Sequence, residues 1–334
     1  LSSSSAASDV YKRQAHYVLS TTFAGIEQHV QELADIQDKD NEVVVICNQS
    51  ISQYYSNIEV RVVKNTSRRS IFGIFSLLLV LRNIRPDIIH THGSKTTSIT
   101  NSVRKFIKLR HVATVHGIKS KTKVYTKAHR VIASSLKIQD SLSTESLLVE
   151  NWWRPSLPRN IDNTAEYILA IGRLEPVKGF DLLIESWVNV NKKLLIVGDG
   201  PEFGKLTSLI DKHGVGDLIT IAASVSKEGL IEYYKKASLL VVSSRREGGP
   251  RVALEALYLH IPVISTNVGH MNQILPQELL AEPDNLESLK SLIHNWVNRS
   301  MSQESIFEYV TEEYSLDKAS KKVLSVYEDL LSKS

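Results

Sequence analysis

The sequence predicts an α/β protein with two Rossmann-like, doubly wound domains that face each other across a cleft. Short β-branched runs alternate with longer amphipathic stretches from Ala15 onward, which is typical of βαβ units with parallel strands. The alternation breaks at Asn151–Glu166, where two prolines and many polar residues indicate an interdomain linker. With 334 residues, of which 42% are hydrophobic, the chain is long enough for two separate cores.

The domain boundaries follow from this pattern. Residues 15–155 are predicted to form the first domain, residues 156–315 the second, and residues 316–334 an amphipathic terminal helix. The opening LSSSSAASDVYKRQ is rich in Ser and Ala, begins without Met and ends where the patterned sequence starts. We therefore interpret residues 1–14 as a non-native segment and exclude them from the fold.

Eleven segments have the composition of buried parallel strands, six before the linker and five after it. Between the first two, Ile26, Val30 and Leu33 recur at the spacing of a helix. The candidate strands are His16–Ser20, Glu42–Cys47, Glu59–Val63, Asp87–Thr91, His111–His116 and Arg130–Ser134, followed by Tyr167–Gly172, Lys193–Gly198, Leu218–Ala222, Ser238–Val242 and Pro262–Thr266.

Two features bear on the compartment in which the protein works. The longest strongly apolar run, Ile71–Leu81, has eleven residues with Gly and Ser inside, whereas a membrane span needs roughly 20. We expect a buried or interfacial helix there. Cys47 is the single cysteine, so no internal disulfide can form, and a reducing cytoplasm fits best.

Charge is shared unevenly between the two halves. Residues 1–155 carry 21 Lys and Arg against 12 Asp and Glu, a net charge of +9, while residues 156–334 carry 19 against 24, a net charge of −5. A basic first half suits an anionic membrane surface or an anionic acceptor, and serves solubility equally well. Nucleic acid is not expected as a partner, because no aromatic stacking platform accompanies the basic residues. Those residues include Arg68, Arg69, Arg104, Lys105, Lys108 and Arg110.

Ligands of open α/β sheets gather at the carboxyl ends of the strands, so the strand-to-helix turns are the candidate sites. The strongest candidate is SSRREGGPRVALEALYLHIPVIST, in which Glu247 and Glu255 lie on either side of a Gly-Gly-Pro turn into a helix. Gly248 and Gly249 would let the backbone approach a ligand. The helix of Glu255 is largely apolar, so its carboxylate needs donors. These are sugar or ribose hydroxyls, or an internal cation such as Arg251.

A second turn, AIGRLEPVKGFDLLIESW, places Arg173 and Lys178 just after the strand that ends at Gly172. Two fixed cations there could hold a diphosphate and neutralise the charge that grows on it as a bond breaks. A third turn, Gly198–Pro201, also joins a strand to a helix. It does not match a dinucleotide fingerprint, because Gly204 falls one residue late.

The first domain offers histidines and a glycine at its strand ends. His90 and His92 in IIHTHGSKT and His116 in ATVHGIKS could each bind a sugar or the acceptor, and Gly25 could admit a phosphate or sugar to a helix N-terminus. A structural role is equally compatible with each. No third ligand at metal-like spacing accompanies the histidines, and Asp38–Asp40, which has the Asp-x-Asp form, is expected to be a solvated loop. The sequence therefore predicts no metal site.

Taken together, these turns resemble the GT-B glycosyltransferases of family 4, the group 1 glycosyltransferases, from His16 to Leu331. The resemblance is carried by GRLEPVKG, VGDGPE and the Glu-x7-Glu stretch Glu247–Glu255, in that order. It implies a retaining, metal-independent enzyme without a cofactor, which moves a sugar from a nucleotide-diphosphate-sugar donor to a glycan or lipid-linked acceptor. The basic first domain then suggests an acceptor at an anionic membrane surface, such as a lipid-linked or lipopolysaccharide sugar. We therefore expect a role in bacterial cell-surface polysaccharide or lipopolysaccharide synthesis, in the cytoplasm or at the inner face of its membrane.

The resemblance also implies roles for single residues of the second domain. Arg173 and Lys178 match the cations that bind the donor diphosphate. Glu255 matches the carboxylate that binds the ribose, and Glu247 matches the residue beside the donor sugar. After Glu247 the family commonly has Gly-Phe-Gly-Leu, whereas this chain has Gly-Gly-Pro-Arg at 248–251. This departure alters the backbone donors around the sugar.

In the first domain, His116 matches the histidine that faces the transferred sugar, and Gly25 matches the glycine near the donor phosphate and the acceptor. The terminal segment resembles the helix that returns to the first domain. Two further departures occur. Asn151–Arg154 stands where relatives often have Asn-Gly-Val-Asp, and His129 stands where an Asp is usual.

The sequence allows two other interpretations of function. The altered loop after Glu247 favours a non-catalytic protein of the same fold that binds nucleotide-sugar or assists assembly. The intact site residues favour the enzyme: Arg173, Lys178, Glu247 and Glu255. A nicotinamide-dependent oxidoreductase would share the doubly wound fold. It lacks support because no well-spaced glycine fingerprint followed by an acidic residue is present.

Overall fold

Regular structure begins ahead of the predicted first strand. The computed structural model describes residues 13–118, 121–299 and 302–332. Most of the opening segment that we interpret as non-native, residues 1–12, lies outside this description. Its last two residues, Arg13 and Gln14, begin the first strand and pair with the second. The strand therefore starts at Arg13 rather than at His16.

The described chain divides into two compact units. It crosses into the second unit after Val149 and returns to the first after Ala319, and the short segment Ser134–Asp140 also belongs to the second unit. The sequence places the crossings after residues 155 and 315. The terminal helix thus contributes its greater part, from Ser320 onward, to the first unit.

The first unit is built on a sheet of seven parallel strands. These are β1 (Arg13–Tyr17), β2 (Glu42–Cys47), β3 (Glu59–Val62), β4 (Ile88–His92), β5 (Arg110–Val115), β6 (Arg130–Ala133) and β7 (Leu147–Leu148). Their order is β3-β2-β1-β4-β5-β6-β7, which reverses direction at β1 and β4. Loops that follow β1 and β4 diverge at such a point and leave room for a ligand. The six predicted strands are all present, and β7 is additional to them.

Helices cover both faces of this sheet. They are α1 (Gly25–Gln37), α2 (Ile71–Ile84) and α3 (Ser94–Val103), while α4 (Leu136–Asp140) belongs to the second unit. Successive residues of a strand point to opposite faces. In β2, Val44 and Ile46 therefore join one apolar core with residues of α2 and α3, and Val43 and Val45 join another with residues of α1.

The second unit repeats the plan with six parallel strands. These are β8 (Tyr167–Ile171), β9 (Leu194–Val197), β10 (Ile219–Ala222), β11 (Ala237–Val242), β12 (Val263–Thr266) and β13 (Leu280–Ala281). The order β10-β9-β8-β11-β12-β13 reverses at β8 and β11. The five predicted strands are present, and the two-residue β13 is additional. The loops that follow β8 and β11 carry the predicted cations and Glu247.

One continuous apolar core fills this second unit. Its helices are α5 (Phe180–Ser186), α6 (Phe203–His213), α7 (Lys227–Tyr234), α8 (Arg251–Tyr258), α9 (Met271–Ile274), α10 (Leu286–Trp296), α11 (Glu304–Glu313) and the start of α12 (Leu316–Ser332). The linker is part of the core. Trp152 is buried, and Trp153 stacks on Tyr258 with ring centroids 3.9 Å apart. The fold class of two doubly wound α/β units is confirmed.

The apolar helix α2 is buried along one side and exposed at its start. Leu77, Leu78 and Leu81 pack in the first core. Ile71 and Phe72, by contrast, remain 80% and 85% exposed. Among the described helices, none combines the length and the apolar character that crossing a bilayer requires.

A buried ion pair joins the linker to α8. The Arg154 Nε atom lies 3.7 Å from Glu255 Oε1, and both side chains are at most 8% exposed. Tyr234 donates its hydroxyl to the other carboxylate oxygen over 3.0 Å. Removing one partner of a buried pair leaves the other charge uncompensated, so this contact ties the linker to the second core.

The same unit buries a histidine. His270 is fully buried at the start of α9, and burial lowers its pKa to about 4 from the usual 6.5. The unfolded chain therefore takes up a proton near pH 6.5 that the folded chain resists until about pH 4. Stability present above pH 6.5 is lost progressively as the pH falls through this window.

We expect Arg154→Ala to lower the free energy of unfolding by about 3–5 kcal/mol, because Glu255 would stay buried without its cation. Urea denaturation followed by circular dichroism measures the change. Arg159→Ala is the matched control, since Arg159 is exposed in the same linker. An equal loss in both variants would show that the ion pair does not stabilise the unit.

We expect the free energy of unfolding to fall between pH 7 and pH 4, with roughly 3 kcal/mol of the loss due to His270. The variant His270→Gln, which cannot titrate, should show a loss that is smaller by that amount. Urea midpoints at the two pH values give the comparison, with His294→Gln, at an exposed position, as control. Identical pH profiles for wild type and His270→Gln would contradict the prediction.

Candidate active site

The predicted cations lie together at the carboxyl end of β8. Gly172 follows the strand, and the 3₁₀ turn Pro176–Lys178 returns the chain toward it. The stem of Lys178 folds over Gly172, since a Cβ atom there would lie 3.4 Å from Lys178 Cδ. Arg173 is 70% exposed and pairs with Glu175 over 2.8 Å. One cation is thus held against the backbone, and the other reaches into solvent.

The backbone of this turn packs directly against the end of β11 at Gly179. Gly179 has a φ of +65°, and a Cβ atom there would lie 2.2 Å from the Ser243 carbonyl oxygen. Ser243 donates its hydroxyl to the Lys178 carbonyl over 2.9 Å, and the Arg245 backbone N–H donates to the Val177 carbonyl over 2.8 Å. Glycine is required at 179 by both its conformation and this close approach.

Arg245 clamps the turn from the side. Its guanidinium donates to both Asp181 oxygens, over 2.7 and 2.8 Å, to Asp284 over 2.5 Å and to the Pro176 carbonyl over 2.6 Å. Burial alone would raise the pKa of Asp181, but the hydrogen bonds from Arg245 outweigh it and lower the pKa. Arg245 was not among the predicted site residues, although Arg245 and Arg246 follow a predicted strand after only two serines.

Glu247 meets Lys178 across the two loops. The Lys178 ammonium donates to Glu247 Oε1, and the Ser244 hydroxyl donates to the same oxygen over 3.0 Å. The Glu247 side chain is 16% exposed. The structure thus brings Glu247 to Lys178 and Gly172, although Glu247 lies 69 residues after Lys178 in the sequence.

The glycine turn after Glu247 has a packing role of its own. A Cβ atom at Gly249 would lie 2.7 Å from His270 Nδ1, and one at Gly269, whose φ is +57°, would lie 2.8 Å from Gly249 Cα. Asn151 donates its side-chain amide to the Gly249 carbonyl over 3.1 Å. The close contact between these two loops therefore requires glycine at 249, whether or not a ligand also approaches it. Ligand binding by Gly248 and Gly249 stays a prediction.

Glu255 receives an internal cation, one of the two donor types expected for it. The cation is Arg154, while the Arg251 Nε atom donates to the Trp152 carbonyl over 3.2 Å. Arg154 was not a candidate because it stands about a hundred residues away in the linker. The ribose-binding role of Glu255 stays a prediction.

A pocket of about 330 Å³ adjoins Arg173 at the ends of β8 and β9. Its lining residues are Ile171, Gly172, Arg173, Val197, Asp199, Ser224, Val225 and Leu230. The Gly198–Pro201 turn forms one edge, and its glycines serve backbone contact. A Cβ atom at Gly198 would lie 1.9 Å from the Gly172 carbonyl oxygen, and one at Gly200 would lie 2.5 Å from that of Leu174.

In the first unit, Gly25 follows β1 and His116 follows β5, the two strands that flank β4. Gly25 opens α1 and is exposed, and a Cβ atom there would meet nothing within 4 Å. His116 follows β5 and is half-buried. His29, one turn into α1, contacts its ring edge-on with centroids 4.5 Å apart. The helix N-terminus and His116 thus belong to one region of this unit, with His92 Nδ1 3.1 Å from His116 Nε2.

His90 is buried by contacts within the first unit, and the Asp-x-Asp segment is exposed. His90 is 1% exposed, with Nδ1 2.5 Å from the Tyr327 hydroxyl and Nε2 2.6 Å from that of Thr114. The acceptor-side roles of His90 and His92 stay predictions. The contacts of His90 with Tyr327 and Thr114 give it a structural role. Asp38–Asp40 is an exposed turn after α1, which confirms the solvated loop.

Sequence profiles of two glycosyltransferase groups match most of the chain. The profile of glycosyl transferases group 1 matches residues 157–313, which contain the Arg173, Lys178 and Glu247 loops. The profile of glycosyltransferase family 4 matches residues 23–146, which contain Gly25 and His116. The two matches follow the division of the molecule into units.

Curated proteins and solved structures agree with these matches. An uncharacterized glycosyltransferase of Methanocaldococcus jannaschii is 26% identical over 92% of this chain and 95% of its own. The GPI3 subunit of phosphatidylinositol N-acetylglucosaminyltransferase from Saccharomyces cerevisiae is 23% identical over 93% of this chain and 81% of its own. The structure of Anabaena HepE with UDP and glucose superposes with a TM-score of 0.83 over 95% of this chain and all of its own, at 15% identity. The oxidoreductase interpretation is therefore wrong, and the chain belongs to the group 1 glycosyltransferases with the two-domain GT-B fold.

Proposed function

We propose that this glycosyltransferase retains anomeric configuration, needs no metal ion, and moves a sugar from a nucleotide-diphosphate-sugar donor to a glycan or lipid-linked acceptor. The observation that carries the proposal is the convergence of Lys178 and Glu247 at the ends of β8 and β11, with Arg173 exposed beside them. Fixed cations at this place can do for a diphosphate what a metal ion does in other transferases.

The donor fits the second unit in two parts. The pocket beside Arg173 has apolar walls from Ile171, Val197 and Val225, which suit the flat face of a nucleotide base. The diphosphate would then lie between Arg173 and Lys178. Anabaena HepE has been solved with UDP and glucose, and this shared fold supports the same donor class here.

The reaction requires one bond to break and one to form on the same face of the sugar. The bond from the anomeric carbon to the diphosphate oxygen breaks, and Arg173 and Lys178 stabilise the negative charge left on the diphosphate. The acceptor hydroxyl oxygen bonds to the same carbon, and its proton passes to the departing phosphate oxygen. The nucleoside diphosphate and the glycosylated acceptor leave as products.

Glu247 is proposed to position the donor rather than to attack it. A carboxylate that accepts from an ammonium and a hydroxyl is a poorer nucleophile than an isolated one, because its charge is already compensated. This contact favours the same-face route over a double displacement through Glu247. The roles of His116 and Gly25 at the transferred sugar remain those that the resemblance implies.

We expect the chain to release free nucleotide from one member of a panel of UDP-, GDP- and ADP-sugars with EDTA present. Lys178→Ala should lower kcat about 100-fold or more, since it removes a charge that stabilises the leaving group. Coupled detection of the nucleoside diphosphate, with and without glycan or lipid acceptors, gives the rates.

Lys236→Ala is the matched control, because Lys236 is a solvent-exposed lysine of the same unit that pairs with Glu166. Donor binding without release under any acceptor condition would favour the non-catalytic interpretation. A requirement for divalent metal, or equal rates in Lys178→Ala and Lys236→Ala, would contradict the proposed mechanism.

The acceptor is proposed to lie at an anionic membrane surface. Helix α2 turns Ile71, Phe72, Phe75 and Leu79 outward, each at least 50% exposed. Exposed aromatic and aliphatic side chains beside basic ones are typical of surfaces that enter the headgroup region of a bilayer. The basic ones precede α2, lie in its last turn, or follow α3, against which α2 packs: Arg68, Arg69, Arg82, Lys105 and Lys108.

This surface suits a lipid-linked acceptor, as used in cell-surface polysaccharide or lipopolysaccharide assembly. The relative from Saccharomyces cerevisiae is named as a subunit of phosphatidylinositol N-acetylglucosaminyltransferase. Peripheral attachment on the inner face of the cytoplasmic membrane is the corresponding location that we propose.

We expect the chain to sediment with vesicles that contain phosphatidylglycerol and to bind neutral vesicles more weakly. Phe72→Asp should reduce binding to anionic vesicles at least tenfold, because it places a negative charge on the inserting face. Phe203→Asp is the control, since Phe203 is 53% exposed on α6 of the other unit. Absence of binding at low salt, or equal losses in the two variants, would remove the membrane proposal.

A further inference from the structure

Five histidines of the first unit form a histidine cluster: His16, His29, His90, His92 and His116. They come from β1, α1, β4 and the end of β5. The ring centroids of His16 and His92 are 5.4 Å apart, and those of His92 and His116 are also 5.4 Å apart, with nearly parallel planes. The absence of a third ligand expected from the sequence is therefore wrong, because His16 and His29 approach His92 only in the fold.

Hydrogen bonds fix the direction in which His92 presents its lone pair. Gln37 Oε1 lies 2.9 Å from His16 Nε2, which must then donate, so His16 Nδ1 is the acceptor nitrogen. That nitrogen lies 3.1 Å from His92 Nε2, which in turn donates. His92 Nδ1 is then left with a lone pair directed toward His116. A metal-binding histidine is commonly oriented by such a donated hydrogen bond from its other nitrogen.

Three histidines present their nitrogens at the spacing of metal ligands. His92 Nδ1 and His116 Nε2 are 3.1 Å apart, and one ring nitrogen from each of His29, His92 and His116 lies within 4.8 Å of the other two. Ligands at about 2.0–2.1 Å from a tetrahedral zinc ion are about 3.3 Å apart. The other triple that geometry allows includes His90, whose two nitrogens already contact Tyr327 and Thr114.

The ligand type sets which metal ions the cluster would accept. Neutral imidazoles suit Zn²⁺, Cu²⁺ and Ni²⁺ rather than Mg²⁺ or Ca²⁺.

We propose that His29, His92 and His116 bind a divalent transition-metal ion such as Zn²⁺, with His16 and Gln37 orienting His92. His116 is half-buried, so the ion can enter from its side. On binding, the proton of His116 Nε2 moves to Nδ1, and Nε2 becomes a ligand. The ion is not needed for transfer. The ion occupies His116, so it inhibits transfer if His116 acts at the sugar. This inhibition rests on the proposed function, whereas metal binding itself does not.

Titration of the untagged chain with Co²⁺ and with Zn²⁺ tests the site. Calorimetry should give one ion per chain, and the visible spectrum of the Co²⁺ form should show a tetrahedral nitrogen site. His92→Ala and His116→Ala should each abolish the spectrum. His16→Ala should weaken binding about 10-fold or more by releasing the orientation of His92. His294→Ala, an exposed histidine of the other unit, should bind like wild type.

Retention of the spectrum in His116→Ala, checked for native circular dichroism, would overturn the proposal even if His92→Ala failed to fold. Absence of Zn²⁺ binding at micromolar concentration would do the same. Nucleotide release separates the two claims. Inhibition by Zn²⁺ that EDTA reverses supports both the site and the role of His116, whereas Zn²⁺ binding without inhibition keeps the metal site and removes that role.

Discussion

The close approach of Gly179 to the Ser243 carbonyl is the constraint on which the second unit's site depends. Only a residue without a side chain can occupy 179, because a Cβ atom would lie 2.2 Å from that oxygen. The contact presses the turn after β8 onto the end of β11, and this carries the Lys178 ammonium to Glu247. Arg245 then fixes the turn laterally through Asp181. A cation held in this way loses little freedom when it meets an anion, which is the condition for electrostatic catalysis.

The first unit is organised around polar rather than apolar contacts at the equivalent place. The histidine cluster includes residues of the paired strands β1 and β4. Its hydrogen bonds include contacts between residues far apart in the chain, such as His16 with His92 and His90 with Tyr327. Buried imidazoles are tolerated only when their nitrogens have partners. The terminal helix supplies Tyr327, so the return of the chain to this unit completes its interior.

Strand positions could be predicted because they depend on local patterns of β-branched residues, and the errors are confined to ends such as Arg13 and to the two-residue strands β7 and β13. The cations Arg173 and Lys178 could be placed because both stand in the turn that follows a predicted strand. The residues that pair with the site residues could not be predicted in this way. Arg154 pairs with Glu255 and His29 approaches His116 only because the fold joins distant segments, and a single sequence carries no signal for such contacts. Glycines 198 and 249 were open to a ligand interpretation, yet both are required by neighbouring backbone or side chains.

The central claim is that a nucleoside diphosphate binds at the ends of β8 and β11. A crystal structure of the chain soaked with UDP, GDP or ADP tests it most directly. We predict that the diphosphate oxygens lie within hydrogen-bonding distance of Arg173 and Lys178, with the base in the pocket between Val197 and Val225. A nucleotide bound elsewhere, for example at the amino ends of the strands beside Tyr167 and Pro262, with Lys178 still paired only to Glu247, would contradict the account.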